Sequence, residues 1–508
     1  MNATAAPQLT ADEVKARAGR GVTVLAARTV VSQVLRIVSA LVLSRLLFPA
    51  DYGLFGIVAY ATSLGVFLGD LGLSAALVHQ PHEPTEEETS TIFWCHQALT
   101  AGIVATIIAL APSLVESYAL GAQALPMVYV MAGGLFLSSL RVIPLMALER
   151  KLAFPLIARA ELIENLAQVA TTIGLAALGC GAWSLVGGGV ARGVVGLGCI
   201  WWASPWRLRG TFRLAVVKRL LGFGLAFQLP PLVATLSLGW VPLVVGRVLG
   251  MDAVGFVNWA TALAATPMML SAILNRVAFP AYCRLQEDPV GFASYLRTSL
   301  RRLSATFCLF IPLAVFAMPV AVPLFFGERW APAVPLVQWF SMEAILTTLI
   351  GLLATAQNAG GRPWERFAVV LGVGVLRWLL GSFIVQRYGL AGLGPLGVFA
   401  SLCELWITAW LVARLNPALE GLVAQVVEPF VTVGLLLLGV AVALPRLVPH
   451  GPWAQGLTGM GLFLVLFLVR ERIPGPLPLV AELRIIGNML RDTLRRRLRR
   501  EAPQPAST

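Results

Sequence analysis

Charged residues are scarce in this sequence. They make up 12% of its 508 residues, whereas hydrophobic residues make up 58%. A soluble domain of average composition carries about 25% charged residues. So few charges cannot cover a water-exposed surface, which excludes an ordinary soluble enzyme or binding module. No stretch between the apolar runs is long enough for a globular domain, so any function must lie within a membrane or on short loops.

Cysteine and the usual catalytic motifs are equally sparse. The six cysteines are scattered singly, without a C-x-x-C pair, as is typical of small apolar core residues. There is no G-x-x-x-x-G-K-[ST] phosphate loop and no G-x-S-x-G nucleophile elbow. His79 and His82 flank Pro81 with no cysteine nearby, which does not make a metal site. We therefore expect no enzyme activity, no cofactor, no metal and no nucleic-acid partner.

What the sequence does have is a series of long apolar runs bounded by proline, glycine and charge. A helix needs about 20 apolar residues to cross a bilayer, and this chain can do so about fourteen times. We predict an all-α, polytopic membrane protein. The predicted spans are 21–47, 52–78, 92–111, 126–148, 157–178, 183–203, 221–245, 253–273, 303–325, 334–356, 367–384, 393–412, 426–444 and 453–468.

Lysine and arginine predict the orientation of these spans. With a cytoplasmic N-terminus, basic residues concentrate on the cytoplasmic side, and the opposite side carries only isolated arginines: Arg247, Arg329, Arg387 and Arg446. This bias favours cytoplasmic N- and C-termini. The exception is the loop 79–90, which has four glutamates and no lysine or arginine. The tail carries an apolar stripe under a basic face, which favours binding to the anionic leaflet over a solvated tail.

A short repeat predicts how the spans are grouped. Residues 44–47 and 52–55 (SRLL and YGLF) are echoed by 246–249 and 254–257 (GRVL and VGFV), with the arginine and glycine at the same separation. Parallel repeats are a transporter architecture, so we predict two six-helix lobes and two further helices. The predicted segments are a cytoplasmic N-terminal segment 1–20, an N-lobe 21–204, a basic cytoplasmic linker 205–220, a C-lobe 221–414, helices 13 and 14 in 415–470, and a basic amphipathic tail 471–508.

Ionisable residues within the spans are costly unless they face protein or water, and they mark functional sites. Most of those here are arginines, which bind phosphate oxygens with two parallel donors. The predicted substrate-binding residues are Arg28, Arg36, Arg141, Arg192 and Arg377. The candidates for ion coupling are Asp70, Glu343 and Glu404. The alternative is structural: each arginine pairs with a nearby acid or extends to the membrane interface.

Several segments resemble a known family. They are LSRLLFPADYGLF at 43–55, GDLGLSAAL at 69–77, GAWSLV at 181–186, FPA at 279–281, GERW at 327–330 and AGGRP at 359–363. In kind and order they resemble the polysaccharide transporter family, the lipopolysaccharide-biosynthesis flippases of O-antigen type, within the multidrug/oligosaccharidyl-lipid/polysaccharide exporter superfamily. The resemblance implies two six-helix lobes facing a central cavity. The resemblance assigns no individual transport residue. The prediction of the five substrate-binding arginines therefore depends only on their charge and on their depth in the membrane.

The resemblance also implies a substrate. It is an oligosaccharide or repeat unit on polyprenyl pyrophosphate, moved across the bacterial inner membrane by alternating access. The implied partners are this lipid-linked oligosaccharide, membrane lipids, and polysaccharide polymerase and export proteins. Three alternatives stay open: a multidrug or cation antiporter of the same superfamily, a membrane-embedded glycan ligase or polymerase, and a scaffold subunit of an export complex.

Overall fold

The computed structural model describes residues 11–80, 83–151, 153–265, 282, 285, 288–414, 416–422, 437, 440 and 452–471. Over these residues the chain forms helices and no β-strand, which confirms the all-α class. Seven helical stretches among them are long and apolar enough to cross a bilayer. The protein is therefore a polytopic membrane protein, since lipid accepts only segments that satisfy their own backbone hydrogen bonds.

The helices fall into two compact units, Met1–Asn258 and Trp259–Thr508. The first unit holds α1 (Ala11–Leu46), α2 (Pro49–Asp70), α3 (Leu73–His79), α4 (Glu86–Ser117), α5 (Ala124–Ser139), α6 (Val142–Arg150), α7 (Phe154–Ala177), α8 (Trp183–Ala203), α9 (Leu214–Leu238), α10 (Gly246–Leu249) and most of α11 (Met251–Ala264). The second holds α12 (Pro289–Ala321), α13 (Val334–Ala359), α14 (Pro363–Tyr388), α15 (Leu393–Ala413) and α16 (Pro452–Glu471). The boundaries predicted for the two six-helix lobes, 21–204 and 221–414, remain a prediction.

Five sequence predictions fall wholly or partly outside the described residues. They are the N-terminal segment before Ala11, the eighth span beyond residue 265, the motif at 279–281, the thirteenth span at 426–444 apart from Leu437 and Val440, and the basic tail beyond Glu471. Within the described part, each unit has its own apolar core. The second unit packs α12, α13 and α15 around Leu349, Leu353 and Leu405, whereas the first packs α3 and α4 around Leu77 and Ile92.

Two predicted spans are broken helices. The span 52–78 stops at Asp70 and restarts at Leu73, because Leu71 and Gly72 adopt left-handed backbone angles with φ of 47° and 71°. A leucine in this region is uncommon. The span 126–148 is interrupted at Arg141, which lies in the turn between α5 and α6. Both interruptions place an ionisable side chain at a helix end, and both belong to the site described below.

The two copies of the short repeat pack against each other. A β-carbon at Gly53 would overlap the carbonyl oxygen of Met251, and one at Gly255 would overlap the carbonyl oxygen of Pro49. These positions are equivalent in the two copies, so the contact is reciprocal. Glycine is required on both sides because only its lack of a β-carbon permits this approach of the two helices.

The acidic loop that departs from the charge pattern has a structural explanation. The glutamates at the start of α4 form ion pairs with the predicted basic linker: Glu86 with Arg209 at 2.6 Å, Glu87 with Arg213, and Glu88 with Arg219. Carboxylates are also favourable at a helix N-terminus. The loop therefore holds the basic linker against α4.

Hydrogen bonds reinforce this attachment of the linker. Trp206 donates its indole N–H to the Thr89 hydroxyl oxygen at 3.1 Å, and Trp94 donates to the carbonyl oxygen of Arg209 at 2.9 Å. Thr85 caps the helix, since its hydroxyl oxygen accepts the backbone N–H of Glu88 while Glu88 accepts that of Thr85. The start of α4 is thus fixed both within the helix and to the linker.

We expect Gly53→Ala to lower the apparent melting temperature of the purified protein. Forcing a side chain into this contact should cost about 1–3 kcal/mol, the usual cost of overpacking. The matched control is Gly133→Ala on α5, where a β-carbon would meet nothing within 4 Å. Thermal unfolding in detergent measures both variants, and equal melting temperatures would contradict the reciprocal packing.

The three linker ion pairs should differ in strength. The Glu88 side chain is 8% exposed and that of Glu86 is 69% exposed. Exposed pairs contribute about 0–1 kcal/mol, whereas a buried carboxylate also stabilises through its hydrogen bonds. We expect Glu88→Gln to lower the melting temperature clearly and Glu86→Gln to change it little. The reverse order would show that the linker is held by something else.

Candidate functional site

The first unit contains a cavity of about 1010 Å³. Side chains from α2, α4, α5, α6, α8 and α9 line it, and most of the lining is apolar. Ligand-binding cavities are typically about 300–1,000 Å³ and carry a few polar groups that orient the ligand. Here the polar groups form two clusters, one around two arginines and one around an aspartate.

The arginine cluster consists of Arg141 and Arg192, which both line the cavity. Both bind the same carboxylate, that of Glu164 on α7. Arg141 Nη1 lies 2.5 Å from Glu164 Oε2, and Arg192 Nη2 lies 3.2 Å from Oε1. The Glu164 side chain is 1% exposed, whereas that of Arg192 is 43% exposed. Two guanidinium groups thus share one buried carboxylate, and the cluster keeps a net positive charge beside the cavity.

The local sequence makes room for this cluster. A β-carbon at Gly196 on α8 would overlap Glu164 Oε2 and Arg141 Nη1, so the glycine opens the slot in which the ion pair lies. Polar groups of α7 also face α1, where Arg28 Nε lies 3.0 Å from Glu161 Oε2. Helix α7 is therefore the polar centre of the first unit.

The aspartate cluster lies at the break between α2 and α3. Asp70 accepts hydrogen bonds from the hydroxyl of Ser74 at 2.6 Å and from its backbone N–H at 3.2 Å. His96 and Thr100 on α4 line the same cavity. They meet α2 at Gly69, where a β-carbon would lie 2.8 Å from Thr100 Oγ1 and 3.7 Å from His96 Nε2.

Helix α9 supports the break. Gln228 donates its amide N–H to the carbonyl oxygen of Phe67 at 3.0 Å, near the end of α2, where carbonyl groups lack helical partners. Gly224 packs directly on Leu71 and Gly72, leaving no space for a β-carbon. Interrupted helices at membrane depth are tolerated where protein or a cavity satisfies the backbone, and they often form binding sites.

The remaining predicted substrate-binding residues lie elsewhere. Arg28 pairs with Glu161 and is absent from the cavity lining. Arg36 is exposed on α1 and donates to Gln33. Arg377, in the second unit, lies 2.8 Å from Glu343 and donates to the Ser401 hydroxyl at 3.0 Å. Of the five predicted arginines, the described structure brings together two, Arg141 and Arg192.

The predicted coupling acids also differ in their surroundings. Glu343 pairs with Arg377 and Glu404 pairs with Arg366, each at 2.8 Å. Asp70 has no arginine partner among the ion pairs of the described residues. The structure adds His96, Thr100 and Gln228, which sequence reasoning missed because a few polar residues without a fixed charge do not stand out in an apolar helix.

The chain matches the model of the polysaccharide biosynthesis protein family over residues 42–335. It belongs to this family. This family member is 25% identical to the succinoglycan biosynthesis transport protein ExoT of Rhizobium meliloti over 503 residues, which is 93% of this chain and 94% of that protein. It is also 24% identical to the teichuronic acid biosynthesis protein TuaB of Bacillus subtilis, covering 74% of this chain and 78% of that protein.

Solved structures show the same fold. This family member superposes on the lipid II flippase MurJ in an inward closed conformation with a TM-score of 0.66, at 11% identity, covering 88% of this chain and 98% of that one. A multidrug resistance MATE transporter of the MOP superfamily gives 0.60 at 16% identity, covering 78% and 98%. The fold and family resemblance predicted from the sequence are confirmed.

We expect Glu164→Gln to destabilise the first unit strongly. Removing the carboxylate leaves two arginines without their counter-charge, and breaking a buried ion pair typically costs about 3–5 kcal/mol. The matched control is Glu161→Gln on the same helix, whose 28% exposed side chain pairs with Arg28. Thermal unfolding of both variants measures the difference. An effect of Glu164→Gln no larger than that of Glu161→Gln would contradict the central role of Glu164.

Proposed function

We propose that this protein is a flippase for a lipid-linked saccharide. It moves an oligosaccharide or polysaccharide repeat unit on polyprenyl pyrophosphate across the membrane by alternating access. Two similarities support the proposal: the nearly full-length match to a succinoglycan biosynthesis transport protein and the fold shared with a lipid II flippase. These relatives are named for transport, so we propose transport and no catalysis.

The observation that carries the proposal is the shared carboxylate of Glu164. Because Arg141 and Arg192 divide one counter-charge between them, this arginine cluster retains positive charge for an anionic ligand beside the cavity. Pyrophosphate is such a ligand, and guanidinium groups bind its oxygens with paired donors. The substrate would place its pyrophosphate beside these arginines, while the polyprenyl chain remains in the bilayer.

The five predicted arginines then take different parts in the proposal. Arg192 makes the first contact, because it is half-exposed and faces the cavity. Arg141 follows, since it is held more firmly by Glu164. Arg28 and Arg377 each have one acid partner and contribute less positive charge, and Arg36 lies on an exposed face.

Location and partners follow from the proposed substrate. We propose the bacterial inner membrane, with both termini cytoplasmic as the lysine and arginine distribution favours. Polymerase and export proteins would receive the translocated repeat unit. The ion that drives transport is considered separately below.

A multidrug antiporter is the main rival, because a MATE transporter shares the fold. Its cationic substrates require an acidic or aromatic cavity. Asp70 and Glu149 line this cavity, but the two arginines that share Glu164 oppose a cationic ligand beside them. A glycan ligase or polymerase would instead transfer sugar as a purified protein. Resistance conferred on drug-sensitive cells would favour the first rival, and sugar transfer in detergent would favour the second.

We expect Arg192→Gln to reduce export of surface polysaccharide at least tenfold in cells that depend on this protein. A tenfold loss corresponds to about 1.4 kcal/mol, which is modest for a charge-assisted bond to phosphate. The measurement compares surface polysaccharide at matched expression, together with the amount of lipid-linked precursor that accumulates.

The matched control is Arg159→Gln on α7, an exposed arginine outside the cavity lining. It should export at the level of the unaltered protein. Undiminished export by both Arg192→Gln and Arg141→Gln would remove the cavity arginines from the mechanism.

A further inference from the structure

The sequence predicts three membrane-embedded acids as candidates for ion coupling, and Asp70 differs from the other two, Glu343 and Glu404. Glu343 and Glu404 each lie 2.8 Å from an arginine. A guanidinium neighbour holds a carboxylate in its charged form, which makes proton uptake unfavourable. Asp70 instead accepts hydrogen bonds from Ser74, a neutral donor that supplies no counter-charge. No ion pair of the described residues supplies Asp70 with a counter-charge, which leaves this half-buried carboxylate available to a cation or a proton.

A second observation at the same place points to a ligand. His96 is 4% exposed and Thr100 is 1% exposed, and both line the cavity. Among the described residues, neither His96 Nδ1 nor Thr100 Oγ1 has a hydrogen-bond partner. Buried polar atoms are nearly always paired, so two unpaired buried atoms on residues that line one cavity indicate a site that takes up something small.

The fold brings these groups together through the interrupted helix. Gly69 lets His96 and Thr100 approach α2 beside Asp70. Leu71 and Gly72 turn the chain so that α2 ends at Asp70. The cluster is therefore built from two separate helices, α2 and α4, and is not a local turn of one segment.

The neighbouring charges favour uptake of a single positive charge. On α4, Cys95 and His96 both lie within electrostatic reach of Asp70. Arg141 in the α5–α6 turn, Glu149 on α6 and Arg192 on α8 also line the cavity, and α9 contributes the neutral Gln228. Positive charge at the arginines disfavours a second cation, so the aspartate cluster suits one proton.

We propose that Asp70 and His96 form a proton-binding pair at the α2–α3 break. Imidazole titrates near neutral pH and a carboxylate beside it stabilises the imidazolium. A proton fits the pair better than sodium, because imidazole nitrogen is not a preferred ligand of hard cations, which select oxygen. The role of this pair in coupling rests on the proposed transport function, whereas its binding of a proton does not.

The test is the titration of His96 in the full chain in lipid nanodiscs. The sequence has four histidines, so ¹⁵N-histidine labelling gives few signals and His96→Gln identifies the one required. We expect its ring signal to titrate between about pH 4 and about pH 9. In Asp70→Asn the midpoint should fall by about one pH unit, a tenfold loss of proton affinity, and Asp70→Glu should restore it. Asp252→Asn, outside the cavity lining, should leave it unchanged.

A second measurement uses the unaltered protein and does not depend on whether a variant folds. A hydrophobic carbodiimide reacts with protonated carboxyl groups in membranes, and mass spectrometry locates the label. We expect the label at Asp70, which has no guanidinium partner among the ion pairs of the described residues, and not at Glu343, which is paired with Arg377. Labelling confined to Glu343 would overturn the proposal.

The remaining outcomes are equally decisive. If the titration midpoint of His96 is unchanged in Asp70→Asn, the proposed proton-binding pair is wrong. If replacing potassium chloride with sodium chloride suppresses the titration of His96, the site binds sodium instead of a proton. Neither titration uses the saccharide substrate. If Arg192→Gln leaves export unchanged while Asp70→Asn still shifts the titration of His96, the proposed substrate site is wrong and the proposed proton-binding pair is supported.

Discussion

The first unit depends on one buried carboxylate. Glu164 is almost fully enclosed, yet it holds arginines from the α5–α6 turn and from α8. A buried charge of either sign is costly in a membrane unless it is paired, so these three side chains fix one another. Gly196 provides the space for this arrangement. The same pattern occurs in the second unit, where Gly397 lies against Glu343 and Arg377 is its partner.

The backbone imposes a second constraint. Hydrocarbon offers no partner for free N–H and C=O groups, so a helix can stop at membrane depth only where protein replaces the missing bonds. Here the Gln228 amide and the Asp70 carboxylate do so at the α2–α3 break. The interruption places an acid in the lining of the same cavity that the two arginines line. Opposite polarities in one cavity fit an anionic headgroup and a proton as separate ligands.

Much of the fold could be predicted from the sequence. Apolar runs of spanning length led to the all-α polytopic class, and the motifs at 43–55 and 69–77 led to the family. Both predictions depend on local composition and order, which the bilayer restricts strongly. The breaks at Leu71 and Arg141 were missed, because each lies in a run that one charged residue alone interrupts and because each break depends on partners from other helices. The acidic residues 86–88 looked anomalous until their arginine partners on the linker were seen.

By itself the sequence determined the type of elements, the membrane environment and the set of ionisable residues that need an explanation. Only the tertiary structure decided which of these residues share a site. Arg141 and Arg192 converge on Glu164, and Asp70 lines the same cavity as His96, although these residues are separated by many positions along the chain. Electrostatic and hydrogen-bonding energies depend on distance in space, and sequence patterns record only distance along the chain. For this reason five arginines were predicted as equivalent, and the packing of α7 and α8 distinguished two of them.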